Sequence, residues 1–129
     1  MRSDYRRRLL EGLEHRVPDV RERCAYVVSL SADQFCVQDL VHSLRCHEDD
    51  ILVAVYLIDA IAQAGTTTDV ALLYPYAAAT RPLAVRLTAI RAIERLGDRE
   101  LYLKKLAVRD SSRQVRDLAG QICASKEAG

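Results

Sequence analysis

The stretch PLAVRLTAIRAIERLGD, residues 82–98, decides the fold. Counted from Val85, the residues four, seven and eight positions on are Ala89, Ala92 and Ile93, which an α-helix sets on one stripe because it turns once every 3.6 residues. Arg91, Glu94 and Arg95 fall away from that stripe. The same offsets from Val20 give Cys24, Val27 and Val28; from Val53, Leu57, Ala60 and Ile61; from Val115, Ala119, Ile122 and Cys123. All are apolar, in a chain only 50% hydrophobic. The four valines lie 33, 32 and 30 residues apart, the period of a two-helix unit repeated in tandem.

A chain of 129 residues buries roughly two thirds of its unfolded surface and folds on packing alone as a single domain, residues 1–129. No uncharged apolar run reaches the ~18 residues of a membrane span, and MRSDYRRRLLEGLEHR lacks the unbroken apolar core of a signal peptide. A cytoplasmic protein with no membrane partner is expected. Four cysteines without a CxxC fit a reducing compartment, with Cys24 and Cys123 filling core slots.

Net charge is +1, unevenly spread. Residues 1–24 hold seven Arg against five acids, residues 25–80 only Arg45 against seven, and residues 81–129 eleven Arg or Lys against six. An acidic middle and a basic C-terminal end follow.

Punctuation residues predict helices near 4–15, 19–30, 32–46, 50–64, 69–79, 82–96, 99–109 and 112–125. Gly65 and Gly97 are expected to end helices in a left-handed conformation, and Pro82 suits a first turn. Ser31 with Gln34 and Ser111 with Gln114 have capping-box spacing; Asp69 and Asp98 are candidate N-caps. Pro75 should kink the fifth helix or mark its true start. No alternating segment argues for strands. The expected architecture is all-α, an α-solenoid of about four stacked helical hairpins, about eight helices in all.

The repeated Val-Arg pair (Val20-Arg21, Val85-Arg86, Val115-Arg116) and the Leu96-Gly97 ending resemble HEAT-like repeat proteins, in particular the short repeats of phycobilisome lyases. The second copy departs, with Val53-Ala54. The resemblance covers nearly the whole chain. It implies a scaffold fold that serves lyases, hydroxylases, DNA-binding proteins and adaptors alike. The iron-dependent hydroxylases of that family carry several His-Glu pairs; this chain has one, His47-Glu48, too few to hold their metals.

In that architecture the helices preceding each valine line the concave side. Taking Leu9/Leu13, Leu40/Leu44, Leu72/Tyr76 and Tyr102/Leu106 as their core-facing pairs leaves Glu11, His42, Tyr74 and Lys104 on the outer face, flanked by His15 and Asp39. Tyr74 is the expected anchor of a docked partner. Asp39, His42 and Cys46 share a helix face with spacing open to a borderline metal, but paired CxxC spacing is missing and no metal or cofactor is expected. Arg86, Arg91, Arg95, Lys105 and Arg109 make a candidate basic patch for phosphates. No phosphate loop, nucleophile motif or catalytic triad is present in the sequence.

The expected function is therefore a non-enzymatic protein-interaction module, a monomer serving as adaptor or accessory subunit, that binds another protein or a peptide segment in the concave groove. The alternatives are a nucleic-acid accessory protein using the basic C-terminal third and, by resemblance alone, a lyase-like or metal-dependent activity.

Overall fold

The computed structural model describes residues 2–98 and 102–128. The four valine-led stripes are the helices α2 (Pro18–Leu30), α4 (Ile51–Ala64), α5 (Leu83–Leu96) and α7 (Arg113–Ala128). Each is preceded by a partner: α1 (Ser3–Gly12), α3 (Val37–Cys46), a 3-10 helix over Thr67–Ala77, and α6 (Tyr102–Arg109). The described residues contain no strand, and the fold is all-α. Among them no helix is long and apolar enough to cross a membrane.

The stripes are the core. Val53, Leu57, Ala60 and Ile61, then Val85, Ala89, Ala92 and Ile93, are buried throughout, as are Val115, Ala119 and Ile122. The first copy is shallower: Val28 is buried, while Val20, Cys24 and Val27 are partly exposed. The chain forms two compact units, Met1–Gly65 and Thr66–Gly129. In the first, α1 packs on α2, α3 on α4, and α2 against α4. In the second, the 3-10 helix packs on α5, α6 on α7, and α5 against α7. Each unit is thus two helical hairpins joined through their valine-led helices.

The arginine after the valine explains the Val-Arg repeat. In the first unit Arg21 donates to the carbonyls of His15 and Arg16 at 2.9 and 3.1 Å, tying α2 to the loop that precedes it. Its Nε reaches the Asp50 carboxylate at 3.1 Å, just before α4. In the second unit Arg86 Nε donates to the Ala77 carbonyl at 2.8 Å and both terminal nitrogens engage Asp110, before α7. Arg116 in turn donates to the Asp110 carbonyl at 2.8 Å. The same residue type closes its own hairpin and grips the next. Ala54, fully buried, stands in that place in the second copy.

Several local expectations are corrected. The helix expected over 32–46 breaks: Ala32–Gln34 is a short 3-10 turn, and extended backbone at Phe35 and Cys36 leads into α3. Phe35 is the buried residue of that link, whereas Cys36 is exposed. Ser31 makes no capping box; its hydroxyl donates back to the Val27 carbonyl at 2.8 Å. The fifth element is a 3-10 helix containing Pro75, and its inward residues recur every third position, Val70, Leu73 and Tyr76, so Leu72 is displaced from the core. Its cap is Thr66, in a box with Asp69 at the third helical position, rather than Asp69 itself.

Gly65 is extended and only Gly97, at φ +102°, takes a positive angle. Pro82 caps α5 from outside its first turn. Ser112, not Ser111, caps α7, accepting the Val115 N–H at 3.4 Å. In α6 the inward pair is Leu103 and Leu106, with Tyr102 half-buried. The expected start of that helix at residue 99 lies outside the described residues. Asp98 does accept the backbone N–H groups of Tyr102 and Leu103, at 3.1 and 2.7 Å.

These contacts set the expected stability of several variants. The Arg86 and Asp110 side chains are 4% and 5% exposed, so Arg86→Met leaves a carboxylate buried without its partner and should cost about 3–5 kcal/mol. Arg21 and Asp50 are 25% and 22% exposed, and Arg21→Met should cost nearer ~1 kcal/mol. Urea denaturation of the two variants measures the contrast. A methyl group on Gly12 would overlap the Cys24 Sγ, so Gly12→Ala should cost about 1–3 kcal/mol. Adding Cys24→Ala should recover most of that loss in the same measurement.

Candidate functional site

Breaking the chain at Phe35 and Cys36 sets α3 apart from α1 and opens a cleft of about 850 Å³ in the first unit. Leu10 and Phe35 supply apolar floor, and Arg7, Glu11, Asp39 and His42 the polar walls. Three of the expected groove residues, Glu11, Asp39 and His42, meet in this cleft, all exposed. Arg7 and Glu11 pair along α1 at 3.6 Å, both well exposed, and contribute little to stability. His42 Nε2 lies 3.8 Å from the Cys46 sulfur one turn along α3. The cleft is mixed in charge and open, suited to a side chain or a short segment of another chain.

His15 lies elsewhere. It joins Cys46 and His47 in a smaller depression of about 330 Å³ at the loop end of the unit, where Nδ1 accepts the Val17 N–H at 3.0 Å. His47 Nε2 meets Glu14 at 2.9 Å across the same depression. Together with Arg21 on the His15 carbonyl, these bonds fasten the loop between α1 and α2. His47 of the lone His-Glu pair therefore has a structural partner. Among the described residues no group of three or more His, Cys, Asp or Glu side chains is assembled as a metal site, the Asp39, His42 and Cys46 set included.

In the second unit Tyr74 is half-buried rather than free to anchor a partner. Its hydroxyl donates to Asp98 at 3.1 Å and its ring packs on Tyr102 with centroids 4.6 Å apart. Lys104 is exposed. The basic patch loses its first member, since Arg86 is buried and committed to Asp110. Arg91 and Arg95 on α5, and Lys105 and Arg109 on α6, are exposed. Each pair sits one helical turn apart.

The hydrogen bonds from Arg86 hold the Asp110 carboxyl below the usual carboxylate range, reinforced by the Ser112 N–H and by Arg116 and opposed by burial. Burial pushes the Tyr102 hydroxyl up, Arg86 opposing it. Burial also raises the Cys24 thiol, which favours its protonated form.

Sequence reasoning passed over the outer side of α2 and α4. Tyr26, Ile51 and Leu52 are exposed there, and Tyr26 meets Tyr56 edge to face at 5.5 Å. Their one sequence mark is that large apolar residues stand off the stripe on both helices. Compared with protein-family models, with curated proteins and with solved structures, the chain matches none.

Because folding lowers the Asp110 pKa, the pair's stabilisation is complete above the ordinary carboxylate value, about 3.9, and disappears as pH falls through the lower folded value. The stability difference between the wild type and Asp110→Asn should stay level from pH 7 to about pH 4 and shrink below it, as read by denaturant titration at each pH.

Proposed function

We propose that this chain is a non-enzymatic protein-interaction module of HEAT-like hairpins, a cytoplasmic monomer acting as adaptor or accessory subunit. The observation that carries the proposal is the cleft between α1 and α3, where Glu11, Asp39 and His42 converge over Leu10 and Phe35. Exposed polar groups of both signs over an apolar floor match a peptide segment, whose backbone and side chains need both kinds of contact. The placing of Glu11 on α1 and of Asp39 and His42 on α3 supports that use, since a helix presents its side chains at set positions.

A second proposal, nucleic-acid binding, rests on the exposed pairs Arg91/Arg95 and Lys105/Arg109 in the second unit. It has lost Arg86 as a phosphate contact. Binding of this kind would weaken steeply with salt, and gel shifts across a salt series would show it. The catalytic alternative keeps only the resemblance from which it came.

The cleft is tested by pull-down from a lysate of the source cell. The wild type should retain a stoichiometric partner, and Glu11→Lys with Asp39→Lys should reduce its recovery about tenfold while circular dichroism is unchanged. Equal recovery by both proteins, or capture of nucleic acid alone, would overturn the reading.

A further inference from the structure

In the first unit, the outer side of α2 and α4 carries a groove distinct from the α1/α3 cleft. One part, about 290 Å³, is lined by Asp19, Glu22 and Tyr26 of α2 and by Leu52 and Tyr56 of α4. A neighbouring part, about 620 Å³, is lined by Pro18, Glu22, Asp49, Ile51 and Leu52. Glu22 and Leu52 line both, so the two parts are continuous along the seam between the helices.

The surface is apolar where a helix facing water should be polar: Tyr26, Leu52 and Ile51 are 48%, 44% and 45% exposed. Leaving such side chains in water forgoes part of the stabilisation that burying them provides. The Tyr26 and Tyr56 rings meet at 61°, fixing two aromatic surfaces that a docked group would meet without further ordering.

The charge around them selects the occupant. Arg21 and Asp50 neutralise each other. Asp19, Glu22 and Asp49 remain, against Arg23 alone. Asp19 and Asp49 stand at helix starts, where the helix dipole accounts for them. Glu22, a turn further on and between both apolar patches, has no such reason. Tyrosine faces attract cations, and this chain already places the Arg81 guanidinium 4.8 Å over the Tyr76 ring.

We propose that the α2/α4 groove of the first unit docks a cationic segment of a partner protein. An arginine or lysine of that segment lies against the Tyr26 and Tyr56 rings and pairs with Glu22, and an apolar neighbour covers Leu52 and Ile51. The α1/α3 cleft can fail its own test without affecting this assignment, because no residue that lines this groove lines that cleft.

The test is fluorescence anisotropy of the full chain with a labelled short peptide of alternating Arg and Leu, and with its Glu/Leu counterpart, at about 0.15 M salt. The Arg/Leu peptide should bind and the Glu/Leu peptide should not. Tyr26→Ala and, separately, Glu22→Arg should each weaken binding about tenfold, whereas Asp39→Lys in the other cleft should leave it within about twofold. Circular dichroism confirms that each variant is folded, and amide shifts on titration should concentrate on α2 and α4. Absence of binding, equal binding of both peptides, or indifference to both groove variants would overturn the proposal. Concentration-dependent self-association abolished by Glu22→Arg would overturn it too, since the occupant would then be a second copy.

Discussion

The guanidinium of Arg86, sealed between the Asp110 carboxylate and the Ala77 carbonyl, is the constraint on which the second unit depends. A charge brought out of water this completely is tolerable only if every donor finds an acceptor, and the five N–H groups of arginine suit a carboxylate fork and a carbonyl at once. The bond to Ala77 closes one hairpin and the bonds to Asp110 hold the next. Compared with apolar packing of the same volume, such a pair adds little net stability. Its effect lies in what it forbids. A slip of α5 against the loop before α7 strands a charge in the core.

The first unit uses the same device in a wetter setting. Arg21 binds two loop carbonyls and Asp50, with about a quarter of its side chain in water, so the interaction is screened and more easily broken. Around it the loop end is filled with small polar fastenings, His15 on the Val17 N–H and His47 on Glu14. These histidines, which invite a metal or catalytic reading as letters, are spent on holding a turn. The open concave surfaces lie along the helices instead, at the α1/α3 cleft and the α2/α4 seam.

Local chemistry set which side chains face inward where the regular α-helix gives way. Pro75 cannot donate a backbone hydrogen bond, and the segment around it winds as a 3-10 helix whose inward face recurs every third residue. That change of period turned Leu73 inward and displaced Leu72. Extended backbone at Phe35 and Cys36 did the equivalent work in the first unit, burying one side chain and exposing the next. A one-residue shift of register exchanges core for surface in either case.

By itself the sequence determined the four valine-led helices and their core faces, because stripes such as Val53, Leu57, Ala60 and Ile61 encode burial through a period that no other regular structure shares. It also marked the recurring Val-Arg pair without showing what the arginine touches. Only the tertiary structure decided that Arg86 is buried rather than offered to phosphate, that Tyr74 is tied to Asp98, and that Glu11, Asp39 and His42 meet while His15 does not. The physical reason is range. Periodicity reports which side of one helix avoids water, whereas the partner of a long polar side chain is supplied by a segment twenty or more residues away, as Asp110 in the loop before α7 is for Arg86.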